Sequence, residues 1–519
     1  MRITKVLDAV YDIKVGWSPS SGSIKPVHIA NGLFRALSGK RFDISDVVKF
    51  AVPGRKGKEP DEDRTFEALV MHCNDPRFKE FARENKKDSF ERIREAIRGL
   101  IDADKAVYPS ASHSSLSLTC RQMISSDTND RHVGEFMAAL LRGPKPDAPN
   151  PLAALISKVL DGNGTTNKEN IEKPQDPISF LVWPLLSDKP ASYLPNNDKK
   201  CVVYTNGSLK TFIDNLNLAA KNLVEHEKEQ SNRLATLQKS VQFVCLMLIA
   251  HAQALASDGK TERRIPLFLS MDAAKGSSLA LASEISLNAF YAAFEDWLAR
   301  QLAAMLKSGT TLYDKDKDKD PSEAPQTPKT LHRATVRAWL KKFTDKDGNE
   351  PSDTIIETRL GFFEQALAQY GREDVYLVLG DTLAKCSFEE YISGGPREFL
   401  QAVGKRIGLV YPYGQGRTRD KRIRPSVHIL NLLVKACVPA NKSIPFNEFL
   451  DRLWERFGII AGGRIDTQHS DPELLAAIGA DVSPSDLQEN CAALIECLSE
   501  IGLARKYPDN ISYVGKYNA

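Results

Sequence analysis

Residues 483–515, with the sequence SPSDLQENCAALIECLSEIGLARKYPDNISYVG, carry the clearest folding pattern in the chain. The opening Ser-Pro pair is typical of an N-cap followed by a first helical turn. Apolar residues then recur at helical spacing, and Gly502 is placed to end the helix. Residues 503–507 and 511–514 flank a Pro-Asp-Asn turn, which predicts a β-hairpin. This region is therefore predicted to be a helix followed by a two-stranded ribbon.

Two apolar helices are predicted just upstream of this helix and ribbon, at residues 427–438 and 446–457. Three helices followed by a hairpin resemble a winged-helix domain, and the resemblance covers about ninety residues. Winged-helix domains often bind DNA through the last helix and the wing. The resemblance therefore implies a DNA-binding module at residues 426–519.

The last predicted helix is acidic on its polar face, which shows Glu489, Glu496 and Glu500. A helix that faces phosphates is expected to be basic, because carboxylates repel the polyanion. In this module only Arg505, Lys506 and Lys516, on the predicted wing, are suited to contact DNA. For the helix itself, contact with another protein or a purely structural role is favoured over direct reading of DNA.

The strongest local charge lies in residues 401–425, QAVGKRIGLVYPYGQGRTRDKRIRP, which contain seven basic residues and one acidic residue, Asp420. Arginine has a planar fork suited to phosphate oxygens, and tyrosine can stack on bases. We therefore predict a loop that contacts phosphates. The alternative is a solvated basic loop, or one paired with acidic residues elsewhere. The predicted DNA-binding residues are Lys405, Arg406, Arg417, Arg419, Lys421, Arg422, Arg424, Arg505 and Lys506.

Elsewhere the apolar pattern is mostly helical. Residues 211–256 predict two long helices, and residues 283–306 predict one helix with apolar groups over a wide arc, placed centrally in its domain. Residues 88–100 also have a helical apolar face. The runs at 265–270 and 375–379, the second reading VYLVL, predict short buried strands. The predicted fold class is mainly α, a multi-domain helical protein with minor β structure and the winged-helix-like module.

Stretches rich in proline and in charged residues divide the chain. The prolines that begin near residue 142 and the Asp-Lys run near residue 314 mark the two clearest breaks. We predict an N-terminal helical domain (1–141), a Pro-rich and polar linker (142–200), a central helical domain (201–307), a charged linker (308–330), a helical domain ending in the basic loop (331–425) and the winged-helix-like domain (426–519).

The whole chain is close to electrically neutral, since 70 Lys and Arg face 67 Asp and Glu and the formal net charge is +3. A histone-like protein is excluded, and any nucleic acid must contact a local patch. The N-terminus predicts no signal peptide. The apolar run 241–256 is shorter than the ~20 residues that a bilayer needs, so no membrane contact is expected. The 8 scattered cysteines are typical of reduced thiols, and we expect a cytoplasmic protein.

No complete catalytic or nucleotide-binding motif occurs in the sequence. The cysteines and histidines lack the close pairs of a zinc site. We therefore expect no catalytic residue, no metal and no cofactor. An enzyme whose active site is assembled from distant residues stays open as an alternative.

The basic loop and residues 449–464, FLDRLWERFGIIAGGR, give the chain an overall resemblance to accessory subunits of bacterial anti-phage and DNA-modification systems. The resemblance implies antiviral defence within a larger complex, with protein partners and double-stranded DNA. The predicted function is a non-enzymatic, DNA-associated accessory subunit that contacts phosphates through the basic loop. The alternative is a protein-interaction scaffold that does not touch nucleic acid.

Overall fold

The structure, a computed structural model, describes most of the chain from residue 207 onwards and shorter stretches before it. The described residues are 1–19, 24–41, 88, 91, 92, 95, 124, 130–143, 150–160, 191–193, 207–228, 232–274, 276–309, 331–391, 395–413, 420–465, 469–508 and 511–515.

The described residues are mainly helical, which confirms the predicted fold class at that level. Short helical turns occupy Ile3–Lys5, Asp8–Val10 and Tyr11–Val15. The longer helices are α1 (Pro26–Ser38), α2 (Val133–Arg142), α3 (Pro151–Leu160), α4 (Lys210–Glu227), α5 (Arg233–Ala256), α6 (Ser278–Lys307), α7 (Arg333–Leu340), α8 (Asp353–Tyr370), α9 (Val375–Glu390), α10 (Pro396–Ile407), α11 (Val427–Cys437), α12 (Phe446–Phe457), α13 (Asp471–Ala477) and α14 (Pro484–Glu500).

The strands in the described part of the chain are short. They are β1 (Lys40–Arg41), β2 (Ala191–Ser192), β3 (Leu267–Phe268), β4 (Val410–Tyr411), β5 (Arg422–Ile423), β6 (Ser443–Pro445), β7 (Ile459–Ile460), β8 (Ala504–Lys506) and β9 (Ser512–Gly515). Antiparallel pairs join β1 with β2 and β4 with β5, whereas β3 and β7 pair in parallel. In the one sheet with three strands, β9 lies between β6 and β8 and is antiparallel to both.

Local sequence signals set several helix ends. Ser277 and Ser483 are N-caps whose hydroxyls accept the amides of Ala280 and Asp486, each at 3.1 Å. Gly458 ends α12 with a φ of 62°, a left-handed conformation that glycine adopts without a steric cost. Helices α4 and α5 confirm the prediction for residues 211–256. Helix α12 confirms the prediction for residues 446–457, and α14 confirms the helix predicted after Pro484.

Helix α6 is the centre of the described structure. It packs against α5, α9 and α10 and also against strands β3 and β5. One hydrophobic cluster includes buried side chains from Ile3 to Val514. Within the described residues, the segment Ala235–Ala256 of α5 is long and apolar enough to cross a membrane, yet 83% of its apolar window is buried inside the protein. The apolar residues of this segment therefore form part of the core of the fold.

The predicted strand at residues 375–379 is wrong, because these residues begin α9. Asp374 is the N-cap and accepts the amide of Leu377 at 3.2 Å. A short apolar run is compatible with a buried helix as well as with a strand. Packing against α6 decides in favour of the helix: a Cβ placed on Gly380 would lie 2.7 Å from the Cβ of Ala303, so the two helices meet at a glycine.

Other sequence predictions differ from the structure or lie beyond its description. The strand at 267–268 is confirmed within the predicted run 265–270. Helix α3 lies inside the region predicted as a linker, and five of its ten side chains are buried. Most of the predicted helix at 88–100 and the charged run at 310–330 fall outside the described residues. The domain limits stay predictions.

Candidate nucleic-acid interface

The basic segment forms a short hairpin, with β4 and β5 as its strands. Val410 pairs with Ile423, and Tyr411 pairs with Arg422. Val410 and Ile423 are buried in the core, so the hairpin is attached to the body by its apolar residues. Ile423 also forms a parallel bridge with Leu269, just beyond β3. The hairpin is therefore the outer part of a layer that begins at β3.

Serine side chains of α6 hold this layer in place. The hydroxyl of Ser283 accepts the amide of Ile423 at 2.9 Å and donates to the carbonyl of Phe268 at 2.6 Å. Ser286 accepts the amide of Phe268 at 2.8 Å. Both serines are fully buried, and each is satisfied by strand backbone. The position of the hairpin relative to α6 is thus fixed by hydrogen bonds.

Arg422 on β5 and Arg424, just after this strand, both lie over the ring of Tyr411. The guanidinium carbons of Arg422 and Arg424 lie 4.8 Å and 5.3 Å from the ring centroid of Tyr411. Arg422 is only 1% exposed and donates to the carbonyl of Ala273 at 3.0 Å, whereas Arg424 is half-buried. Arg422 is therefore held inside the protein, and Arg424 is the more accessible charge.

Three further cations meet where α10 ends and β5 begins. Lys421 donates to Oε1 of Gln401 at 2.6 Å, and Arg406 donates to the carbonyl of Ile24. Lys405 is only 8% exposed. Burial lowers the pKa of Lys405, and the neighbouring charges of Lys421 and Arg406 lower it further. Burial also lowers the pKa of Lys421. The positively charged side chains of Lys405, Arg406 and Lys421 therefore lie close together.

Neutral acceptors or an aromatic ring contact the side chains of Lys421, Arg422 and Arg424. Within the described residues these three side chains form no ion pair with a carboxylate. Two carboxylates nevertheless interact electrostatically with these cations: the charge of Glu398 opposes the lowering of the Lys421 pKa by burial, and Asp272 is influenced by Arg422 and Arg424. Hydrogen bonds from the Ser277 side chain and from the backbone are the main reasons for the lowered pKa of Asp272, and Arg422 and Arg424 add to the effect.

The arginines of α7 have the opposite surroundings. Arg333 forms ion pairs with Glu357 and Glu364, and Arg337 forms ion pairs with Glu357 and Asp353. The pKa of Glu357 is lowered mainly by its hydrogen bond from Arg337. The charges of α7 are therefore neutralised by neighbouring carboxylates, unlike those of the hairpin.

Helix α14 is anchored by its buried face. Asn490 donates to the carbonyls of Leu269 at 2.8 Å and Ala461 at 2.9 Å, and its Oδ1 accepts the amide of Met271 at 2.8 Å. The side chain is 1% exposed, and both its amide nitrogen and its amide oxygen form hydrogen bonds. These bonds tie α14 to the ends of β3 and β7, and therefore to the layer that carries the hairpin.

The opposite face of α14 is acidic and open to solvent. Glu489, Glu496 and Glu500 are all exposed, which agrees with the predicted polar face. The hairpin lies near this face at Cys497. Burial and Glu500 raise the pKa of the Cys497 thiol, and the charge of Arg424 opposes them. The charges of Arg424 and Glu500 therefore both act on the C-terminal part of α14.

The wing predicted from the sequence is the hairpin of β8 and β9. Arg505 and Lys506 lie on β8, and both are exposed. The guanidinium of Arg505 lies 5.4 Å from the ring centroid of Tyr507. These two residues are thus accessible to a ligand, as a DNA-contacting wing requires.

A depression of about 280 Å³ lies beside Arg422 at the N-terminal end of α6. Glu284 and Asp420 line it together with Arg422, and the rest of the lining is Gly276, Ala280 and Leu281. Two carboxylates beside one guanidinium do not favour a phosphate. We therefore place the candidate interface on the outer side of the hairpin.

The structure thus separates the predicted site residues into groups. Lys405 and Arg422 are buried, Arg406 is tied to the chain near residue 24, and Lys421 and Arg424 remain partly accessible. Arg417 and Arg419 lie outside the described residues. Gln401, Asp272 and Asn490 were missed by sequence reasoning, since no motif marks them. Among the described residues, no group of three or more His, Cys, Asp or Glu is placed to hold a metal.

Comparisons with known proteins do not identify relatives of this chain, because no protein-family model and no curated protein matches it.

Proposed function

We propose that this protein is a non-enzymatic, DNA-associated accessory subunit that contacts phosphates through the hairpin surface. We define the hairpin surface as the side chains of Lys421, Arg424, Tyr411 and Tyr413. The observation that carries the proposal is the absence of a carboxylate partner for Lys421 and Arg424 within the described residues, where neutral groups contact both side chains.

Phosphate oxygens would supply the missing negative charge. A carbonyl or amide acceptor satisfies hydrogen-bond geometry but leaves the net charge of the cation in place. Burial lowers the pKa of Lys421 by more than the charge of Glu398 raises it, so the nearby carboxylate does not compensate the buried cation. Charge-assisted hydrogen bonds to phosphate are stronger than bonds to neutral acceptors. Binding would also release counterions, which makes the affinity depend on salt.

The proposed contact avoids the outer face of α14. Glu489, Glu496 and Glu500 would lie against the polyanion if this helix entered a groove of DNA. Arg505 and Lys506 provide a second cationic contact that does not need the acidic face. We therefore propose a binding mode in which the two hairpins contact phosphates and α14 faces away.

The winged-helix assignment of the C-terminal region is also part of the proposal. It is supported by the order α11, β6, α12, β7, α13, α14, β8 and β9, in which the short helix α13 is additional to the three helices of the resemblance, and by the central position of β9 in the three-stranded sheet. A cytoplasmic location and a role in a bacterial defence or DNA-modification complex rest on the sequence resemblance alone.

A protein-interaction scaffold is the second candidate function. The acidic face of α14 favours it, together with two exposed apolar side chains on the first turns of α6, Leu281 and Ile285. Exposed apolar residues four positions apart on a helix are typical of a surface that binds a protein. In this alternative the hairpin cations serve the fold only.

Fluorescence anisotropy of a labelled DNA, titrated at several salt concentrations, tests the proposal. The Lys421→Ala/Arg424→Ala variant is expected to lose roughly tenfold or more in affinity. If each side chain contacts one phosphate of duplex DNA, the slope of log affinity against log salt falls by about 1.8. Thermal unfolding followed by circular dichroism checks that the variant is folded.

The matched control is Lys346→Ala/Arg372→Ala, which removes the same two positive charges from exposed positions outside the helices. It is expected to keep the wild-type affinity within about twofold, because distant exposed charges are screened. Equal losses in both double variants would mean that only net charge matters. Wild-type binding by Lys421→Ala/Arg424→Ala would leave the scaffold as the better function.

A further inference from the structure

Two pairs of tyrosines with the same geometry lie on the two hairpins. The ring centroids of Tyr411 and Tyr413 are 5.4 Å apart at an interplanar angle of 90°. Those of Tyr507 and Tyr513 are 5.6 Å apart at 82°. Edge-to-face contacts of this kind are favourable between aromatic rings. Each hairpin thus holds one ring against another.

One ring of each pair remains open to solvent. Tyr413 is 41% exposed and Tyr507 is 37% exposed, and both are among the large side chains that the fold leaves uncovered. The hydroxyl of Tyr413 donates to the carbonyl of Arg424 at 2.5 Å, and the amide of Tyr507 donates to the carbonyl of Ile511 at 3.0 Å. The ring of Tyr413 is therefore held by its hydroxyl, whereas Tyr507 is held through its backbone and through the contact of its ring with Tyr513.

A cation accompanies each tyrosine pair. Arg424 lies over Tyr411, and Arg505 lies over Tyr507. Both pairs also lie towards the C-terminal part of α14: Arg424 acts on Cys497, and α14 contacts β8. Aromatic rings beside arginines are the chemistry with which proteins bind the bases and phosphates of a single strand.

From this repeated arrangement we propose that unpaired bases stack on Tyr413 and Tyr507, so that the ligand is a single-stranded nucleic acid. The inference rests on the proposed function and narrows its substrate class. A duplex hides the faces of its bases, whereas a single strand exposes them. The acidic outer face of α14 also disfavours insertion into the groove of a duplex.

The experiment measures anisotropy with labelled single-stranded DNA, single-stranded RNA and duplex DNA of equal length. Wild-type protein is expected to bind at least one single strand roughly tenfold more tightly than the duplex. The Tyr413→Leu/Tyr507→Leu variant is expected to lose roughly tenfold or more in single-strand affinity with an unchanged salt slope, since stacking is not ionic. The Tyr413→Phe/Tyr507→Phe variant keeps the rings and is expected to stay within about threefold of wild type.

Two results overturn the inference and leave the proposed function standing. One is equal wild-type affinity for duplex and single strands together with salt-dependent loss in Lys421→Ala/Arg424→Ala. The other is unchanged single-strand binding by Tyr413→Leu/Tyr507→Leu. A wild-type protein that binds none of the three nucleic acids overturns the proposed function itself. If the leucine variant fails to fold, the affinities of the wild-type protein decide, because the inference requires tighter binding to a single strand than to the duplex.

Discussion

Two neighbouring surfaces of this protein carry opposite charges for different structural reasons. The hairpin surface has Lys421 and Arg424 beside neutral acceptors and an aromatic ring, whereas the outer face of α14 shows Glu489, Glu496 and Glu500 to solvent. Both surfaces belong to one hydrogen-bonded assembly, because Asn490 and Ser283 attach α14 and the hairpin to the segment 267–271. In the described part of the chain, these cations and these glutamates thus belong to one assembly and form no ion pair with one another.

The difference shows why a resemblance to winged-helix proteins does not by itself locate a nucleic acid site. The helix that such a resemblance assigns to DNA is the part of this surface that repels a polyanion most strongly. The hairpin beside it, which lies outside the resemblance, carries Lys421 and Arg424, and among the residues that the structure describes no carboxylate forms an ion pair with either. Position in a fold and charge therefore lead to different surfaces, and charge is the better guide to phosphate binding.

The comparison depends most on Asn490, which keeps the acidic face of α14 turned outwards. Asn490→Ala is expected to lower the free energy of unfolding by about 3 kcal/mol, because three buried hydrogen bonds of ~1 kcal/mol each are lost. Urea unfolding followed by circular dichroism measures the effect.

The neighbouring Gln488 is the matched control, since it has a similar side chain on the exposed face of the same helix. Gln488→Ala is expected to change the free energy of unfolding by less than about 0.5 kcal/mol. If the two variants unfold at the same urea concentration, α14 does not depend on this anchor.

Reversal of charge on the outer face of α14 should make this face cationic, like the hairpin surface. In Glu496→Lys/Glu500→Lys, the cationic area of the hairpin would extend along the helix past Cys497. We expect a gain of roughly tenfold in nucleic acid affinity at low salt and a salt slope steeper by up to about 1.8. Anisotropy titrations at several salt concentrations provide the measurement.

The same charge change at exposed positions far from α14 in sequence serves as the comparison. Glu350→Lys/Glu373→Lys is expected to raise the affinity by less than about threefold. A gain of equal size from both pairs would show that the acidic face has no local influence on binding.

The smallest expected effect concerns pH. Because the pKa of Lys421 is lowered by burial, this lysine loses its proton at a lower pH than an exposed lysine does. A bound phosphate favours the charged form, so the affinity is expected to fall as the pH rises through that lowered pKa, by roughly fivefold. Binding should also take up protons in this range, which calorimetry in buffers of different ionisation enthalpy detects.

Lys421→Arg sharpens this test, because arginine stays protonated throughout the range. The variant is expected to bind at neutral pH within about threefold of wild type and to show a flatter alkaline profile. An identical fall in both proteins would assign the pH dependence to another group.

Long helices with clear caps could be predicted from the sequence, and short apolar runs could not. Ser483, Pro484 and a sustained 3.6-residue period specify α14 locally, and the sequence pattern at 503–514 predicts the two strands that the structure contains as β8 and β9. The apolar composition of residues 375–379 is equally compatible with a buried helix and with a strand. The N-cap Asp374 and the packing of Gly380 on Ala303 distinguish the helix from the strand, and the second contact joins distant segments.

The candidate site was predictable as a concentration of charge but not as a surface. A run of basic residues indicates where charge lies along the chain, yet it does not say which side chains become buried. Arg422 points away from the side of the strand that carries Ile423 into the core, and it is buried because the ring of Tyr411 and the chain at Ala273 cover it. The partners Gln401 and Asp272 are likewise supplied by other segments, so no local pattern reveals them.

The pairing of β3 with β7 has a consequence for biosynthesis. Leu267 and Phe268 leave the ribosome long before Ile459 and Ile460, the residues that complete their hydrogen bonds. Until then, an apolar strand edge is exposed on the growing chain, and such edges promote aggregation. Deletion of the residues from 426 onwards is therefore expected to yield an aggregating product instead of a shorter folded protein.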